Sequence, residues 1–363
     1  MEKWLDFLDY AIDRRDWWKV LHKLKDIIAI VFFAKLANAD DWVEMEIFAK
    51  KHEEFLREYL ELEHGIPSHD TLQRNFAVLE PSFLEKLQQL WNEMLSTNEG
   101  EKIKKILAID GKTQCGNGNH IVSAVREDGI CFGQKLMDKK TNESKTIPQF
   151  LDDLNIRGHI VTIDAAGAYR DIVAKIRKKR ADYVIGLKGN QGTLHEEVKL
   201  YFEDEELLKK CDYTYKIEKA RGGVEKREYW QLDDVSWLPQ KKEWAGLKSV
   251  GMTRNTIIKG DKTTQETRFF ISSLSRDVET FARAVRGHWV VESFHWILDV
   301  VFCEDANQTL DKRAAYNLNI INKMALSVLK LVELSGMKPM SFKKKRYAIS
   351  LDFEGFMKDI LAA

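Results

Sequence analysis

The order of short apolar segments between residues 106 and 187 constrains the fold more than any other feature of the sequence. Residues 106–109 predict a strand ending at Asp110, and two runs around the Glu-Asp-Gly at 127–129 predict a hairpin over 121–126 and 130–136. A helix, a strand, a helix and a strand follow, at 147–154, 159–163, 169–180 and 183–187. This β-β-β-α-β-α-β order predicts a mixed α/β sheet with an antiparallel edge beside a parallel core, and it excludes a simple doubly wound sheet.

Helical patterns precede this segment. In residues 1–98 apolar side chains recur every three or four positions, as in Ile27, Ile30 and Ala34. The Gly-Ile-Pro-Ser sequence at 65–68 interrupts the pattern, and Ser68 or Asp70 is a candidate cap for the next helix. We therefore expect an all-helical N-terminal domain over residues 1–100.

Residues after 187 divide into a strand-like segment and a helical segment. Short strand-like pieces at 227–232, 249–257 and 267–271 predict a β-rich insertion over about 190–270, and helix returns over about 276–335. We expect a second domain over 101–340 that contains this insertion, and a basic then acidic C-terminal tail over 341–363.

The charge of the chain is unevenly distributed. The total is zero, with 57 basic and 57 acidic side chains, which by itself disfavours a nucleic-acid partner. Residues 1–100 hold 12 basic and 20 acidic side chains, whereas residues 101–350 hold 44 and 34. The neutral total therefore leaves room for a DNA partner on the positive second domain.

The spacing of the cysteines and the length of the apolar runs indicate the cellular compartment of the protein. The four cysteines are far apart and form neither a CxxC pair nor a disulfide framework, which is typical of a reducing compartment. The longest wholly apolar run, 27–34, is much shorter than the roughly 20 residues of a membrane span. We expect a cytoplasmic, nucleoid-associated protein with no membrane partner and no signal peptide.

Two aspartates follow apolar strands in matched contexts, Asp110 in Leu-Ala-Ile-Asp-Gly and Asp164 in Val-Thr-Ile-Asp-Ala. Carboxylates at the carboxyl ends of adjacent strands converge where ligands of α/β sheets usually lie, and such a pair suits a hard divalent cation. The alternative is that each aspartate only terminates its strand.

Glu292 is the third candidate carboxylate. On one continuous helix it would share an apolar stripe with Phe281, Val285, Trp296 and Asp299, where a carboxylate needs a partner or a metal. One alternative is a buried ion pair of Glu292 with His288 or His295. Another is a transition-metal site, because these histidines and Glu292 are spaced at i, i+4 and i+7, but no second Glu-x-x-His accompanies them.

Several polar and basic groups are candidates for contact with phosphate. Lys188, Asn190 and Gln191 directly follow a predicted strand, beside the two aspartates. The Gly-Lys-Thr around Lys112 lacks the first glycine of a phosphate loop, so an ATPase is excluded. Cationic runs at 175–180 and 343–346 are typical of solvated faces, or line a DNA groove.

These motifs resemble the DDE transposases of bacterial insertion sequences, in the branch that includes the H-repeat-associated proteins. The resemblance covers most of the chain and rests on several motifs in the family's order. They are Ala108-Ile-Asp-Gly-Lys-Thr, Ile163-Asp-Ala, Leu187-Lys-Gly-Asn-Gln-Gly, Arg286-Gly-His-Trp, Glu292-Ser-Phe-His-Trp-Ile-Leu-Asp-Val, Phe302-Cys-Glu-Asp-Ala and, in the helical domain, Gly65-Ile-Pro-Ser-His-Asp-Thr.

The resemblance implies a ribonuclease-H-like core in which Asp110, Asp164 and Glu292 are the catalytic, metal-binding triad. It implies two Mg²⁺ ions, or Mn²⁺, about 4 Å apart, of which one activates water or a 3′-hydroxyl and the other stabilises the leaving oxygen. The wider group's Tyr, Arg, Glu and Lys signature falls here at Val285, His288, Glu292 and Asp299.

We therefore expect a DNA transposase that cleaves element ends and transfers them into target DNA. Its partners would be the terminal inverted repeats and the target DNA, in a synaptic complex of two copies of the chain. We expect DNA contacts from a set of polar residues, with His295 and Asp299 as further site candidates: Lys112, Lys188, Asn190, Gln191, Arg286 and His288. The alternatives are a non-catalytic DNA-binding relic and a structure-specific, metal-dependent nuclease on the same fold.

Overall fold

A computed structural model describes residues 2–11, 13, 15–16, 18, 20–96, 105–137, 143–220, 222–332 and 339–362. The expected domain boundary near residue 100 lies outside them. The first six helices are α1 (Glu2–Leu8), α2 (Leu24–Leu36), α3 (Trp42–Lys51), α4 (Glu53–Leu56), α5 (His69–Val78) and α6 (Pro81–Ser96).

The N-terminal helices begin where capping side chains occur. Asp41 and Glu44 form a capping box at the start of α3, in which each side chain binds the other residue's backbone N–H. Ser68 caps α5, since its hydroxyl accepts a hydrogen bond from the Thr71 N–H at 3.3 Å. The helical pattern predicted for this part of the chain is confirmed.

A nine-stranded mixed sheet forms the rest of the framework, in the order β3-β2-β1-β4-β5-β9-β8-β7-β6. The first five strands and their helices are β1 (Ile106–Thr113), β2 (His120–Arg126), β3 (Cys131–Met137), α7 (Glu143–Asp153), β4 (Ile160–Ile163), α8 (Arg170–Lys178) and β5 (Asp182–Leu187). Strands β1, β4 and β5 are parallel, whereas β2 and β3 pair antiparallel at one edge. The predicted strand order and the mixed α/β class are confirmed.

The segment expected to be a β-rich insertion begins with helix. It contains α9 (Gly192–Glu203) and α10 (Glu205–Leu208), followed by β6 (Asp212–Ala220), β7 (Gly223–Leu232), β8 (Ser249–Lys259) and β9 (Lys262–Ser272). Strand β9 pairs antiparallel with β5, so these four strands extend the central sheet. The interpretation of residues 190–210 as strand-like was wrong, because Leu194, Val198 and Phe202 form the buried, helical-period face of α9.

The last helices of the chain follow the sheet, and those after the first of them share one hydrophobic core with the N-terminal helices. The last helices are α11 (Val278–His288), α12 (Val290–Val301), α13 (Lys312–Leu331), α14 (Phe342–Leu351) and α15 (Phe353–Ala362). Helix α13 is buried along most of its length and contacts α2, α5 and α6. Asn317 binds the Phe76 and Leu79 carbonyls at 2.8 Å each, which fastens α13 to the end of α5. Among the described residues, no helix is long and apolar enough to cross a membrane.

Candidate active site

Asp110 and Asp164 lie side by side at one end of the parallel strands. Ile109 pairs with Ile163, so the next residue on each strand is one of the two aspartates. The expectation that the strand ends at Asp110 was wrong, because β1 continues to Thr113 against β2. Its parallel pairing with β4 ends at Ile109, however, so Asp110 still stands at the carboxyl edge of the parallel core.

The loop after β4 holds Asp164 in place. Its Oδ1 atom accepts hydrogen bonds from the Ala166 and Gly167 N–H groups at 3.0 and 3.2 Å. The Asn190 amide donates to the Ala165 carbonyl at 2.8 Å, and the Gln191 amide donates to the Ala168 carbonyl. Two amides expected to contact DNA therefore brace the loop that carries Asp164.

The helix that carries Glu292 is interrupted. Helix α11 ends at His288 and α12 starts at Val290, with Trp289 between them. The stripe of Glu292 with Phe281 and Val285 assumed one uninterrupted helix, and for Glu292 it was wrong. The residues that α12 buries are Val291, Phe294, Leu298 and Val301. Glu292 is exposed, and among the described residues it forms no ion pair with either neighbouring histidine.

Two histidine contacts fix these helices on the sheet. His288 Nδ1 lies 3.2 Å from Thr162 Oγ1, on the face of β4 that also carries Asp164. His295 Nδ1 lies 3.7 Å from Asp110 Oδ2 on β1. On α12, Glu292 precedes His295 by three residues, so the two lie on the same side of that helix. Glu292 also lines the same cleft as His288 and Asp164.

Burial lowers the pKa of both histidines. Together with nearby Lys323 and Lys112 it lowers the pKa of His295 to about 3. The lowered pKa of His288 disfavours its cationic form, and its Nδ1 lies within hydrogen-bonding distance of Thr162 Oγ1. His295 Nε2 is buried and has no hydrogen-bond partner within the described part of the chain.

Lys112 is paired with carboxylates. Its Nζ contacts Asp299 Oδ1 and lies 3.6 Å from Asp305 Oδ1. The Lys112 side chain is only 17% exposed. Sequence reasoning missed Asp305, although it lies within the Phe-Cys-Glu-Asp-Ala motif at 302–306. Lys112 and Asp299, both candidates for the site, thus contact each other.

A cleft of about 1240 Å³ opens beside Asp164 and Glu292. Its walls come from the ends of β4 and β5, from α9, from the faces of β7–β9 and from the α11–α12 junction. Lys188 and Arg286 line it and form no ion pair within the described residues. Arg268, which sequence reasoning missed, stacks on Trp289 with its guanidinium carbon 4.7 Å from the ring centre.

The donors around this edge suit a hard cation. Asp110, Asp164 and Glu292 offer carboxylate oxygens, the ligands that Mg²⁺ prefers. Oδ2 of Asp164 accepts no hydrogen bond from the described residues, so one oxygen remains for a ligand. Within the same residues no three ligating side chains are close enough to hold an ion, including the set of His288, Glu292 and His295. The carboxylates therefore suit a hard divalent cation by donor type, but the described side chains are not gathered around a common point.

Two family models match the chain. Residues 101–328 match the family described as "Transposase DDE domain", and residues 5–92 match the family described as "DDE_Tnp_1-associated". Together they cover the helical N-terminal part, the sheet and helices α11 and α12.

Similar proteins occur in Escherichia coli. The chain is 33% identical to "Putative transposase YncI" of strain O157:H7 over 376 aligned residues, which cover 99% of this chain and 94% of that protein. It is 34% identical to "H repeat-associated putative transposase YhhI" of strain K12, over 91% of this chain and 90% of that protein. It is also 38% identical to "Inactive transposase YbfQ" of strain K12, over 20% of this chain and 88% of that protein.

Proposed function

Because the chain belongs to the DDE transposase family, with a ribonuclease-H-like mixed sheet, we propose that it is an active DNA transposase. It cleaves DNA strands at the ends of a mobile element and transfers the freed 3′ ends to target DNA. In this proposal residues 1–100 form the associated helical domain, which binds the terminal repeats or pairs two copies of the chain, and residues 101–340 form the catalytic domain.

The observation that carries the proposal is the path of the α11–α12 helices over the sheet. His288 contacts Thr162, two residues before Asp164, and His295 lies 3.7 Å from Asp110. Glu292 lies between these two contacts and is exposed to solvent. Asp110 and Asp164 follow paired strand residues, and Glu292 lines the same cleft as Asp164, which supports a shared role of the three carboxylates in phosphodiester hydrolysis.

Asp110, Asp164 and Glu292 would hold the divalent ions. When bound, Mg²⁺ or Mn²⁺ would supply an activated nucleophile and stabilise the departing oxygen. The chain itself fixes the ligands. Backbone N–H groups bind one oxygen of Asp164 and leave the other available, while Asn190 and Gln191 keep its loop on the sheet.

The cleft supplies a path for DNA. Lys188 and Arg286 line it without ion pairs in the described residues, so both cations are available to phosphate. Two other cations of the cleft are ion-paired: Arg227 with Glu218 and Glu225 at 2.8 and 2.6 Å, and Arg268 with Glu266 at 2.8 Å. Arg254 lies over the Trp230 ring. We therefore assign phosphate contacts to Lys188 and Arg286, and we remove Lys112, Asn190, Gln191 and His288 from that role.

The test uses a plasmid that carries the DNA flanking this protein's gene. Cleavage of that plasmid is measured in the presence of Mg²⁺ or Mn²⁺. Wild type should cut and join, whereas Asp110→Asn, Asp164→Asn and Glu292→Gln should each slow cutting by roughly 10³-fold or more, the effect of losing several kcal/mol of metal assistance. Glu203→Gln is the matched control, because Glu203 lines the same cleft but lies on α9 and pairs with Lys199 at 3.9 Å.

The alternatives give different results in the same assay. If the protein is a DNA-binding relic, the wild type and all variants should bind the flanking DNA, and none of them should cut it. A structure-specific nuclease would cut branched DNA without repeats and join nothing. Equal cutting by wild type and Glu292→Gln would contradict the assignment of the third carboxylate.

A further inference from the structure

Lys112 connects strand β1 to the helix that carries Glu292. It lies two residues after Asp110, and therefore on the same face of the strand. Its Nζ contacts Asp299 on α12 and lies 3.6 Å from Asp305 in the turn that follows. A lysine held by two carboxylates, with little of its side chain exposed, is poorly placed to neutralise a DNA phosphate.

Further bonds hold the loop after β1 to the same segment. Asp305 Oδ1 accepts a hydrogen bond from the Cys115 N–H at 3.2 Å, so this carboxylate binds both the strand and its loop. Asn119 donates from its amide to the Lys312 carbonyl at 2.8 Å. The end of β1 and the chain around the C-terminal end of α12 are therefore joined at several points.

Lys112 and Asp110 of β1 both lie against one side of α12. Glu292, His295 and Asp299 follow one another at intervals of three and four residues, so they share one side of the helix. His295 lies beside Asp110, and Asp299 contacts Lys112. With both contacts made, α12 cannot turn or slide along β1 without displacing Glu292.

We propose that Lys112 is a positioning residue of the reaction. It sets α12 on β1 through Asp299 and Asp305, so that Glu292 faces Asp110 and Asp164, and it does not bind DNA. The proposal rests on the proposed function, because it assigns Lys112 a role towards the three carboxylates named there. Residues that orient metal ligands typically change metal affinity or activity by 10- to 100-fold when replaced.

The experiment compares Lys112→Met, Asp299→Asn, their double variant and Lys112→Arg in three measurements. These are Mn²⁺ binding by isothermal titration calorimetry without DNA, binding of a 40-base-pair duplex over a range of salt without metal, and plasmid cleavage in Mn²⁺. Lys188→Met is the matched control for a lysine that contacts phosphate. Circular dichroism confirms folding, and Asp299→Asn carries the test if Lys112→Met does not fold.

We expect Lys112→Met and Asp299→Asn each to weaken Mn²⁺ binding and cleavage by about 10- to 100-fold. The double variant should lose no more than either single one, because both remove the same contact. Lys112→Arg should restore most of the Mn²⁺ affinity. Duplex affinity and its salt dependence should stay at the wild-type level in all four, and should change only in Lys188→Met.

The opposite pattern overturns the proposal. If Lys112 contacts phosphate, Lys112→Met should reduce the salt dependence of duplex binding by the amount expected for one phosphate contact. Asp299→Asn should then leave Mn²⁺ binding and cleavage intact. If wild type binds Mn²⁺ but cuts nothing, the proposed function fails, and the Mn²⁺ titrations alone decide the role of Lys112. The positioning role of Lys112 is overturned if Lys112→Met binds Mn²⁺ as tightly as wild type, or if wild type binds no Mn²⁺.

Discussion

Arg346 is the buried charge whose removal should cost the protein most. It is fully buried on α14. Its guanidinium donates to the Lys35 carbonyl at 3.0 Å, to the Val301 carbonyl, and to Asp40 Oδ1 at 2.8 Å. It also lies over the Phe302 ring, 4.4 Å from the ring centre. One side chain thus joins α14 to the end of α2 and to the end of α12.

Arg346→Met removes the charge and keeps most of the packing volume. The Asp40 carboxylate then loses its closest cation and keeps only Lys35, 3.4 Å away, among its described ion-pair partners, and two buried carbonyls lose a charged donor. Removing one partner of a buried ion pair costs about 3–5 kcal/mol, mainly because the other partner stays desolvated. We expect a loss of that size in the free energy of unfolding. Lys344→Met, at an exposed position on the same helix, should change it by at most about 0.5 kcal/mol.

Urea unfolding followed by tryptophan fluorescence measures the difference. Asp40→Asn and the Arg346→Met/Asp40→Asn double variant complete the cycle, and the double variant should lose less than the sum of the single losses because both changes remove the same ion pair. If Arg346→Met is as stable as Lys344→Met within about 0.5 kcal/mol, the reasoning from burial and pairing is refuted.

Two further predictions concern lysines. Lys188→Met should reduce the salt slope of duplex binding by about one phosphate contact, whereas Lys50→Met on α3, where Lys50 pairs with Glu46, should not change it. Equal slopes in a fluorescence anisotropy titration would contradict this. Burial lowers the pKa of Lys330 to about 8, against the opposing influence of Asp128. Between pH 8 and 10 the unfolded chain therefore binds more protons at Lys330 than the folded chain does. The free energy of unfolding should rise by roughly 1–3 kcal/mol over this range. Urea titrations at pH 8 and pH 10 measure the rise, and Lys330→Met should abolish it.

The sheet was predictable because its signals are local. Each strand from β1 to β5 is a short apolar run bounded by turn residues, and β1 and β4 each lead directly into an aspartate. Adjacent parallel strands place such residues at one edge whatever the rest of the chain does. The relation of Asp110 to Asp164 therefore followed from strand order alone.

The placement of Glu292 was not predictable in the same way. The pattern from 278 to 301 is helical on both sides of Trp289, and Gly287 is a weak local signal for the interruption there. The interruption is tertiary in origin, because α11 packs on β1 and β4 whereas α12 packs on β1 and β2. A stripe drawn across both helices therefore placed Glu292 on the buried side, although it is exposed.

The count of charged residues did not predict which cations are available to DNA. Residues 101–350 carry ten more basic than acidic side chains, which suggested a broad positive DNA surface. The structure shows that many of these cations are already committed: Lys323 and Arg346 are buried, and Lys112 and Arg227 are held by carboxylates. A cation already paired within the protein releases few counterions when DNA arrives. The salt dependence of binding should therefore follow the small set of unpaired cleft cations, led by Lys188 and Arg286, and be shallower than the excess of ten implies.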